Sequence, residues 1–172
     1  MLYKYALPIA MQIKYLLEPH CQRIEIAGSV RRLKPDVGDI ELCAIPKMVP
    51  GNNMFGDPVS ALETFDYGQI GRVLKGGRRY VQIALHQEIN LDLFIVLPPA
   101  SWGVIYTLRT GPAEFSRKCV TQRRKGGLLP SYLQVKDGVV RNASTGDIIP
   151  TPEEDDFFRA LKMHWLSPDK RQ

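Results

Sequence analysis

Three carboxylates in two strand-like segments have the residue types and the spacing that phosphate chemistry requires. Asp39 and Glu41 lie in the segment 37–42, and Asp92 lies between apolar neighbours in the segment 90–95. Residues two apart share one face of a strand, so Asp39 and Glu41 are expected to point the same way. Neighbouring carboxylates repel each other, and Mg²⁺ bound to them and to substrate phosphates removes that conflict. With Asp92 on an adjacent strand, the set predicts a two-metal site for in-line phosphoryl transfer.

A glycine-serine pair precedes the first two carboxylates and is followed by adjacent arginines. Gly28 and Ser29 indicate a turn between a strand and a helix, and Arg31 and Arg32 come directly afterwards. Such a turn has a structural use, with the serine as a helix N-cap. A functional use is also open. A glycine lets a triphosphate approach the backbone, and a serine at a helix start donates hydrogen bonds to phosphate oxygens.

The positions of these residues depend on a series of helices and strands. Hydrophobic periodicity predicts a helix over 7–17, and alternation predicts strands in which Ile40 and Leu42 face the core. The predicted strands are 23–27, 39–45, 78–85 and 89–97, with short strands inside 131–149. A loop is predicted over 46–58, a weak helix over 59–74, and short helices over 101–108 and 112–123. Thr151 is predicted to cap the last helix, with Glu154 at its third position.

Four motifs in the same order resemble those of one known family. The segments 28–32 and 37–41 are similar to the pattern Gly-Ser-x-Arg-Arg followed by Gly-Asp-x-Asp of the family X DNA polymerases, which belong to the nucleotidyltransferase superfamily of DNA polymerase beta. The segment 91–103 resembles the strand of the third carboxylate with its following helix. The segment 109–112 resembles the Phe-Thr-Gly-Ser turn, and 149–161 resembles the end of the thumb. The resemblance runs over nearly the whole chain.

The resemblance implies a fold and an organisation. The expected class is α/β (α+β), with a polymerase beta-like nucleotidyltransferase palm of mixed sheet and helices, followed by a small α/β thumb. The palm would cover residues 1–99, and the thumb, which contacts nucleotide and DNA, residues 100–172. The helix-hairpin-helix lyase domain of the larger relatives has no counterpart before the palm motif, so a minimal palm-thumb form is expected.

The resemblance also implies roles for individual residues. Asp39, Glu41 and Asp92 would be both the catalytic residues and the ligands of two Mg²⁺ ions, for which Mn²⁺ would substitute. The residues implied in nucleotide binding are Gly28, Ser29, Arg32, Gly38, Arg109, Thr110, Gly111 and Ser116. The chain departs from the family pattern in two places. Glu41 replaces the second Asp, and Leu108 with Arg109 replaces an aromatic pair, which predicts weaker exclusion of ribonucleotides.

A group of cations lies beside Gly126 and Gly127 in the part of the chain that would face the nucleotide. Scattered charges usually form a solvated face, but clustering next to glycines favours contacts with a phosphate backbone. The predicted DNA-binding residues are Arg117, Lys118, Arg123, Arg124 and Lys125.

The composition limits the class of protein. The 172 residues are 44% hydrophobic and 24% charged, which suits one globular domain or two subdomains, and a net charge of +5 suits a polyanionic partner. Three widely spaced cysteines argue against a disulfide framework or a zinc site and favour a reducing, cytoplasmic compartment. The minimal form that the resemblance implies suits a prokaryotic or viral source. The sequence contains no apolar run of about 20 residues and no charged-then-apolar leader, so neither a membrane span nor a signal peptide is expected.

These observations together predict a DNA polymerase of the family X type. It would add dNMP, and also rNMP, to a DNA 3′-hydroxyl with release of pyrophosphate, and its role would be gap filling in DNA repair. The expected partners are primer-template or gapped DNA and nucleoside triphosphates, and the expected state is a monomer. Two alternatives stay open: a non-templated or small-molecule nucleotidyltransferase, and an inactive DNA-end-binding module.

Overall fold

The computed structural model describes residues 1–51 and 57–171 of the chain, which form a mixed α/β structure with helices and a mixed sheet. The chain divides into two compact units. The first unit comprises Met1–Val30 and Lys34–Val96, and the second comprises Arg31–Leu33 and Leu97–Gln172. The division near residue 97 lies close to the predicted boundary at 99, and the identification of the units as palm and thumb stays a prediction.

The first unit is built on a five-stranded sheet with the strand order β1-β2-β7-β6-β5. Its strands, with a small hairpin of β3 and β4, are β1 (Cys21–Ile26), β2 (Asp39–Pro46), β3 (Met48–Pro50), β4 (Pro58–Ser60), β5 (Gly71–Lys75), β6 (Tyr80–Leu85) and β7 (Asn90–Ile95). Within the five-stranded sheet β2 and β7 run parallel, and the other neighbours are antiparallel. Helix α1 (Tyr3–Leu17) packs on β1 and β2, and the short helix α2 spans Gly28–Arg31.

Alternation along β2 and β7 places one set of side chains in the core of the first unit. Ile40 and Leu42 on β2 are completely buried, as are Leu91 and Leu93 on β7. The prediction that Ile40 and Leu42 face the core is therefore confirmed. The three predicted carboxylates alternate with these buried residues along the strands. They lie on the opposite face of the sheet and are half-buried.

The second unit combines helices with a small sheet of strand order β10-β9-β8. Its elements are α3 (Trp102–Thr110), α4 (Ala113–Val120), β8 (Leu133–Lys136), β9 (Val139–Asn142), β10 (Ile148–Ile149) and α5 (Glu154–Ala160). The core is formed by side chains from all three helices, from β8 and β9, and from the segment before β8. Val104, Phe115, Val140, Phe157 and Phe158 are its central members.

The structure corrects two predictions of local structure. The weak helix predicted over 59–74 is wrong, because β4 and β5 pair with neighbouring strands there and only a 3₁₀ turn, Tyr67–Gln69, is helical. The predicted loop over 46–58 contains β3 and the start of β4, and its residues 52–56 lie outside the described residues.

The cap of the last helix also differs from the prediction. Helix α5 begins at Glu154, and its N-cap is Glu153, not Thr151. Glu153 and Asp156 form a reciprocal capping box in which each side chain accepts a backbone N–H of the other residue. The Thr151 hydroxyl is instead buried and lies 2.7 Å from Oγ of Ser101, so it is engaged away from the helix.

Two further observations bear on the class of protein. None of the helices in the described ranges is both long enough and apolar enough to cross a membrane. All three cysteines are buried free thiols. Burial raises the pKa of Cys21 to about 11 and that of Cys119 to about 12, so neither forms a reactive thiolate near neutral pH.

Candidate active site

The three predicted carboxylates lie on one face of two parallel neighbouring strands. Glu41 on β2 is the direct register partner of Asp92 on β7, and Asp39 is the partner of Asn90. Neighbouring strands are about 4.8 Å apart, and residues two apart on one strand are separated by about 6.6 Å. The backbone therefore places the three residues as neighbours on one face of the sheet. Opposed like charges destabilise a sheet, so this placement indicates a function other than stability.

Two polar side chains on β6 orient the carboxylate of Asp92. The Tyr80 hydroxyl donates a hydrogen bond of 2.7 Å to Oδ1, and Nε2 of Gln82 donates one of 2.9 Å to the same oxygen. Gln82 is the register partner of Asp92 in the antiparallel pair of β6 and β7. Sequence reasoning did not assign either residue, although both are polar and alternate with the buried Val81 and Ile83 in a predicted strand.

Gly28 lies directly against the carboxylate of Glu41. Its backbone φ is +58°, a left-handed conformation that residues other than glycine rarely adopt. A Cβ built at this position would overlap Oε2 of Glu41. The glycine is therefore required by the packing of this chain itself, before any ligand is considered. The backbone N–H of Ala27 also donates to the carbonyl of Glu41 over 2.8 Å, which joins the turn to β2.

Ser29 and Gly38 complete the predicted nucleotide-binding residues of the first unit. The hydroxyl oxygen of Ser29 is buried, and no hydrogen-bond partner for it exists among the described residues. A buried polar atom of this kind is costly unless a ligand or water satisfies it. Gly38 precedes Asp39 at an exposed position, and a Cβ built there meets no atom within 4 Å, so packing does not require glycine at this position.

The donor set fits Mg²⁺ in chemistry and in backbone position. Three carboxylates supply the hard oxygen ligands that Mg²⁺ prefers. As the side chains stand, no group of three or more His, Cys, Asp or Glu within 1–51 and 57–171 is gathered closely enough to hold a metal. Glu41 lies against Gly28, and Asp92 is held by its two donors on β6. Side-chain rotation, without movement of the strands, would be needed to gather the carboxylates.

The nucleotide-binding residues predicted in the second unit are bonded to one another around the turn after α3. Nη1 of Arg32 donates to the backbone carbonyls of Thr110 and Gly111, the latter over 2.6 Å. The Ser116 hydroxyl donates to the carbonyl of Leu108 over 2.6 Å, and it lies so close to Gly111 that a Cβ there would overlap it. Arg109 is exposed on α3. Nucleotide binding by these residues stays a prediction. In the structure, the hydrogen bonds of Arg32 and Ser116 hold the backbone of the turn after α3 in place.

A buried ion cluster in the second unit was not identified from the sequence. Glu154, 7% exposed, accepts two hydrogen bonds from Arg31 (2.9 and 2.6 Å) and one from Arg171 (2.9 Å). Arg171 is itself 2% exposed, and the Arg31 guanidinium stacks 3.9 Å over the ring of Tyr106. Burial raises the pKa of Glu154, but the hydrogen bonds and charges of the two arginines outweigh it and lower that pKa from 4.5 to about 2. We call this cluster the Glu154 clasp.

The predicted DNA-binding cations lie on α4 and on the 3₁₀ turn Arg123–Lys125. Arg123 donates to the backbone carbonyls of Leu161 (2.8 Å) and Leu128 (3.1 Å), so it has a structural use. Lys118 is 3.2 Å from Glu114, which partly neutralises it. The other three cations, Arg117, Arg124 and Lys125, are exposed. Contact of the five with DNA stays a prediction.

Comparison of the chain with known protein families gave no match, and comparison with curated proteins gave none either.

Proposed function

We propose that this protein is a metal-dependent nucleotidyltransferase with a polymerase beta-like fold, and specifically a DNA polymerase of the family X type. The observation that carries the proposal is the direct pairing of Glu41 with Asp92 on parallel strands, with Asp39 on the same face. The buried Ser29 hydroxyl supports it, because it is a donor that a phosphate oxygen would satisfy. The four sequence motifs supply the choice of DNA as the acceptor.

The residues of the first unit divide the chemistry among them. Asp39, Glu41 and Asp92 would hold two Mg²⁺ ions, which when bound would supply charge neutralisation of the triphosphate and of the leaving pyrophosphate. The acceptor 3′-hydroxyl attacks the α-phosphorus, a new P–O bond forms, and the bond to pyrophosphate breaks. The hydroxyl proton passes to Asp92. Because Tyr80 and Gln82 both donate to Oδ1, Oδ2 is the oxygen that would take the proton.

A primer-extension assay tests the proposal. The purified chain is incubated with a labelled DNA primer, a nucleoside triphosphate and Mg²⁺, with and without a template strand. Asp92→Asn should reduce extension by at least about 100-fold, which is the lower end of what a positioned base contributes. Glu18→Gln, at an exposed acidic position on the 3₁₀ turn after α1, is the matched control and should retain full activity.

The outcomes of this assay separate the three candidate functions. Extension only on a template supports the DNA polymerase, and extension without a template supports a non-templated nucleotidyltransferase. DNA binding with no transfer to any acceptor supports the inactive DNA-end-binding module. Full activity of a correctly folded Asp92→Asn variant would falsify the three-carboxylate site.

A further inference from the structure

The candidate active-site face of the sheet in the first unit extends beyond the carboxylates to the edge strand β5. Register partners continue across β5, β6, β7 and β2 in two rows, which are Arg72–Ala84–Asn90–Asp39 and Lys75–Gln82–Asp92–Glu41. Directly opposed residues share a face of a sheet. Each row therefore has a cation at one end and a carboxylate at the other. Three strand spacings separate the ends, which is about 14 Å.

A β-bulge places both cations on that face. Arg72 and Lys75 are three residues apart, and in a regular strand residues three apart point to opposite faces. The pairing register shifts between Val73 and Lys75, so that one extra residue is accommodated in β5. The bulge thereby turns Lys75 to the same side as Arg72.

The two cations are available to a ligand. Both Arg72 and Lys75 are exposed, and within the described ranges the side chain of neither forms a hydrogen bond or an ion pair. The nearby Arg78 differs, because it lies 3.3 Å from Glu63. The side chains between the cations and the carboxylates are the half-buried Gln82 and Ala84 and the exposed Asn90, so the floor of this face is polar or small.

A purely protective role would leave the bulge unexplained. Charged residues on an edge strand prevent edge-to-edge pairing between molecules. Such protection works with charges on either face of the strand. The bulge instead brings both cations to the one face that carries the carboxylates. This arrangement fits a ligand that has negative charge at one end and a reacting group at the other.

We propose that Arg72 and Lys75 bind the phosphate backbone of the DNA strand that carries the acceptor hydroxyl, so that the strand runs over Gln82 and its end lies at Asp92. This inference rests on the proposed function for the identity of the strand. It assigns DNA contacts to the first unit, in addition to the cations of 117–125 predicted in the second.

The test is direct binding of a labelled primer-template duplex, measured by fluorescence anisotropy over a range of salt concentrations without nucleotide. The variant R72Q/K75Q removes both cations, and K4Q/K47Q removes two exposed cations of the first unit that lie outside β5, as the matched control. Each lost duplex phosphate contact changes the slope of log K against log salt by about 0.9. The slope of R72Q/K75Q should therefore flatten by about 1.8. The wild-type protein should lose about twelve-fold more affinity than this variant between about 50 and about 200 mM salt.

Two results would overturn the inference. One is an R72Q/K75Q variant with the wild-type slope, or with a loss of affinity no greater than that of K4Q/K47Q. The other is self-association of R72Q/K75Q in size-exclusion chromatography with unchanged DNA affinity, which would show that the cations only protect the edge.

Because binding is measured without nucleotide, it is independent of catalysis. A flattened slope without any nucleotide transfer would support the DNA surface while the proposed function fails. Nucleotide transfer by the wild-type protein, together with an unchanged salt slope of R72Q/K75Q, would support the proposed function and refute the DNA surface.

Discussion

The Glu154 clasp allows a quantitative prediction for the stability of the second unit. We consider Glu154→Gln, which keeps the size of the side chain and removes its charge. The folded pKa of about 2 lies below the ordinary value of 4.5, and this difference corresponds to about 3 kcal/mol at neutral pH. Removal of one partner of a buried ion pair costs a similar amount, about 3–5 kcal/mol, because the remaining charges stay buried.

Urea unfolding followed by tryptophan fluorescence measures this loss. Trp102 and Trp165 are the two tryptophans of the chain, and both belong to the second unit, so the signal reports on that unit. With a slope of about 2 kcal/mol per molar urea, a loss of about 3 kcal/mol lowers the midpoint by about 1.5 M. Asp155→Asn, at an exposed position in the first turn of the same helix, should cost less than about 1 kcal/mol.

The pH dependence gives a second, independent check. A carboxyl whose pKa is lowered by folding stabilises the folded state only while it is ionised, so its contribution is complete above about pH 5 and disappears toward pH 2. The difference between wild type and Glu154→Gln should therefore shrink as the pH falls through that range. An unchanged urea midpoint at pH 7, or a difference that persists at about pH 2, would refute the role of the clasp.

Three further predictions concern the site and the basic turn. Gly28→Ala should destabilise the first unit by about 1–2 kcal/mol in thermal unfolding, because it forces an L-residue into a left-handed conformation against Glu41. Arg123→Gln should cost about 2 kcal/mol in urea unfolding, since a charged donor to two backbone carbonyls is lost. Tyr80→Phe should lower kcat by about 10-fold or more with KM unchanged, because it removes one donor that orients Asp92.

Each of these has a result that contradicts it. A Gly28→Ala protein with wild-type melting would mean that Glu41 moves aside without cost. For Arg123 the comparison is Arg124→Gln, because the exposed Arg124 side chain donates to the side chain of Gln122 and not to the backbone. Equal losses would show that the backbone contacts of Arg123 contribute nothing. For Tyr80, a rise in KM with kcat unchanged would indicate a role in substrate binding and not in the orientation of Asp92.

The strands of the carboxylates could be predicted because their sequence signal is local. Alternation in 39–45 and 89–97 identifies β2 and β7 and the inward side chains Ile40 and Leu42, and the structure confirms that burial. The register of β2 against β7 could not be predicted from the sequence, because it is determined by contacts between segments about 50 residues apart. Tyr80 and Gln82 were missed for this reason: their role follows only once β6 is aligned with β7.

Tertiary contacts also overrode a local signal. Thr151 satisfies the sequence rule for capping α5 and Glu153 does not, but Thr151 is engaged with Ser101 and the cap falls to Glu153. The Glu154 clasp could not be predicted at all. A glutamate in the first turn of a helix ordinarily faces solvent, and its partner Arg31 lies 123 residues away in the chain.

The chain positions of the clasp partners also determine when the second unit can fold during synthesis. Arg31 precedes Glu154 by 123 residues and Arg171 follows it by 17, so residues 34–96 of the first unit are translated between two parts of the second. Closing a flexible loop of that length costs about 4 kcal/mol by its dependence on loop length. A first unit that folds early on the ribosome shortens this loop. We therefore expect the second unit to fold only after Arg171 has emerged, and translation pauses between residues 96 and 171 to favour its correct assembly.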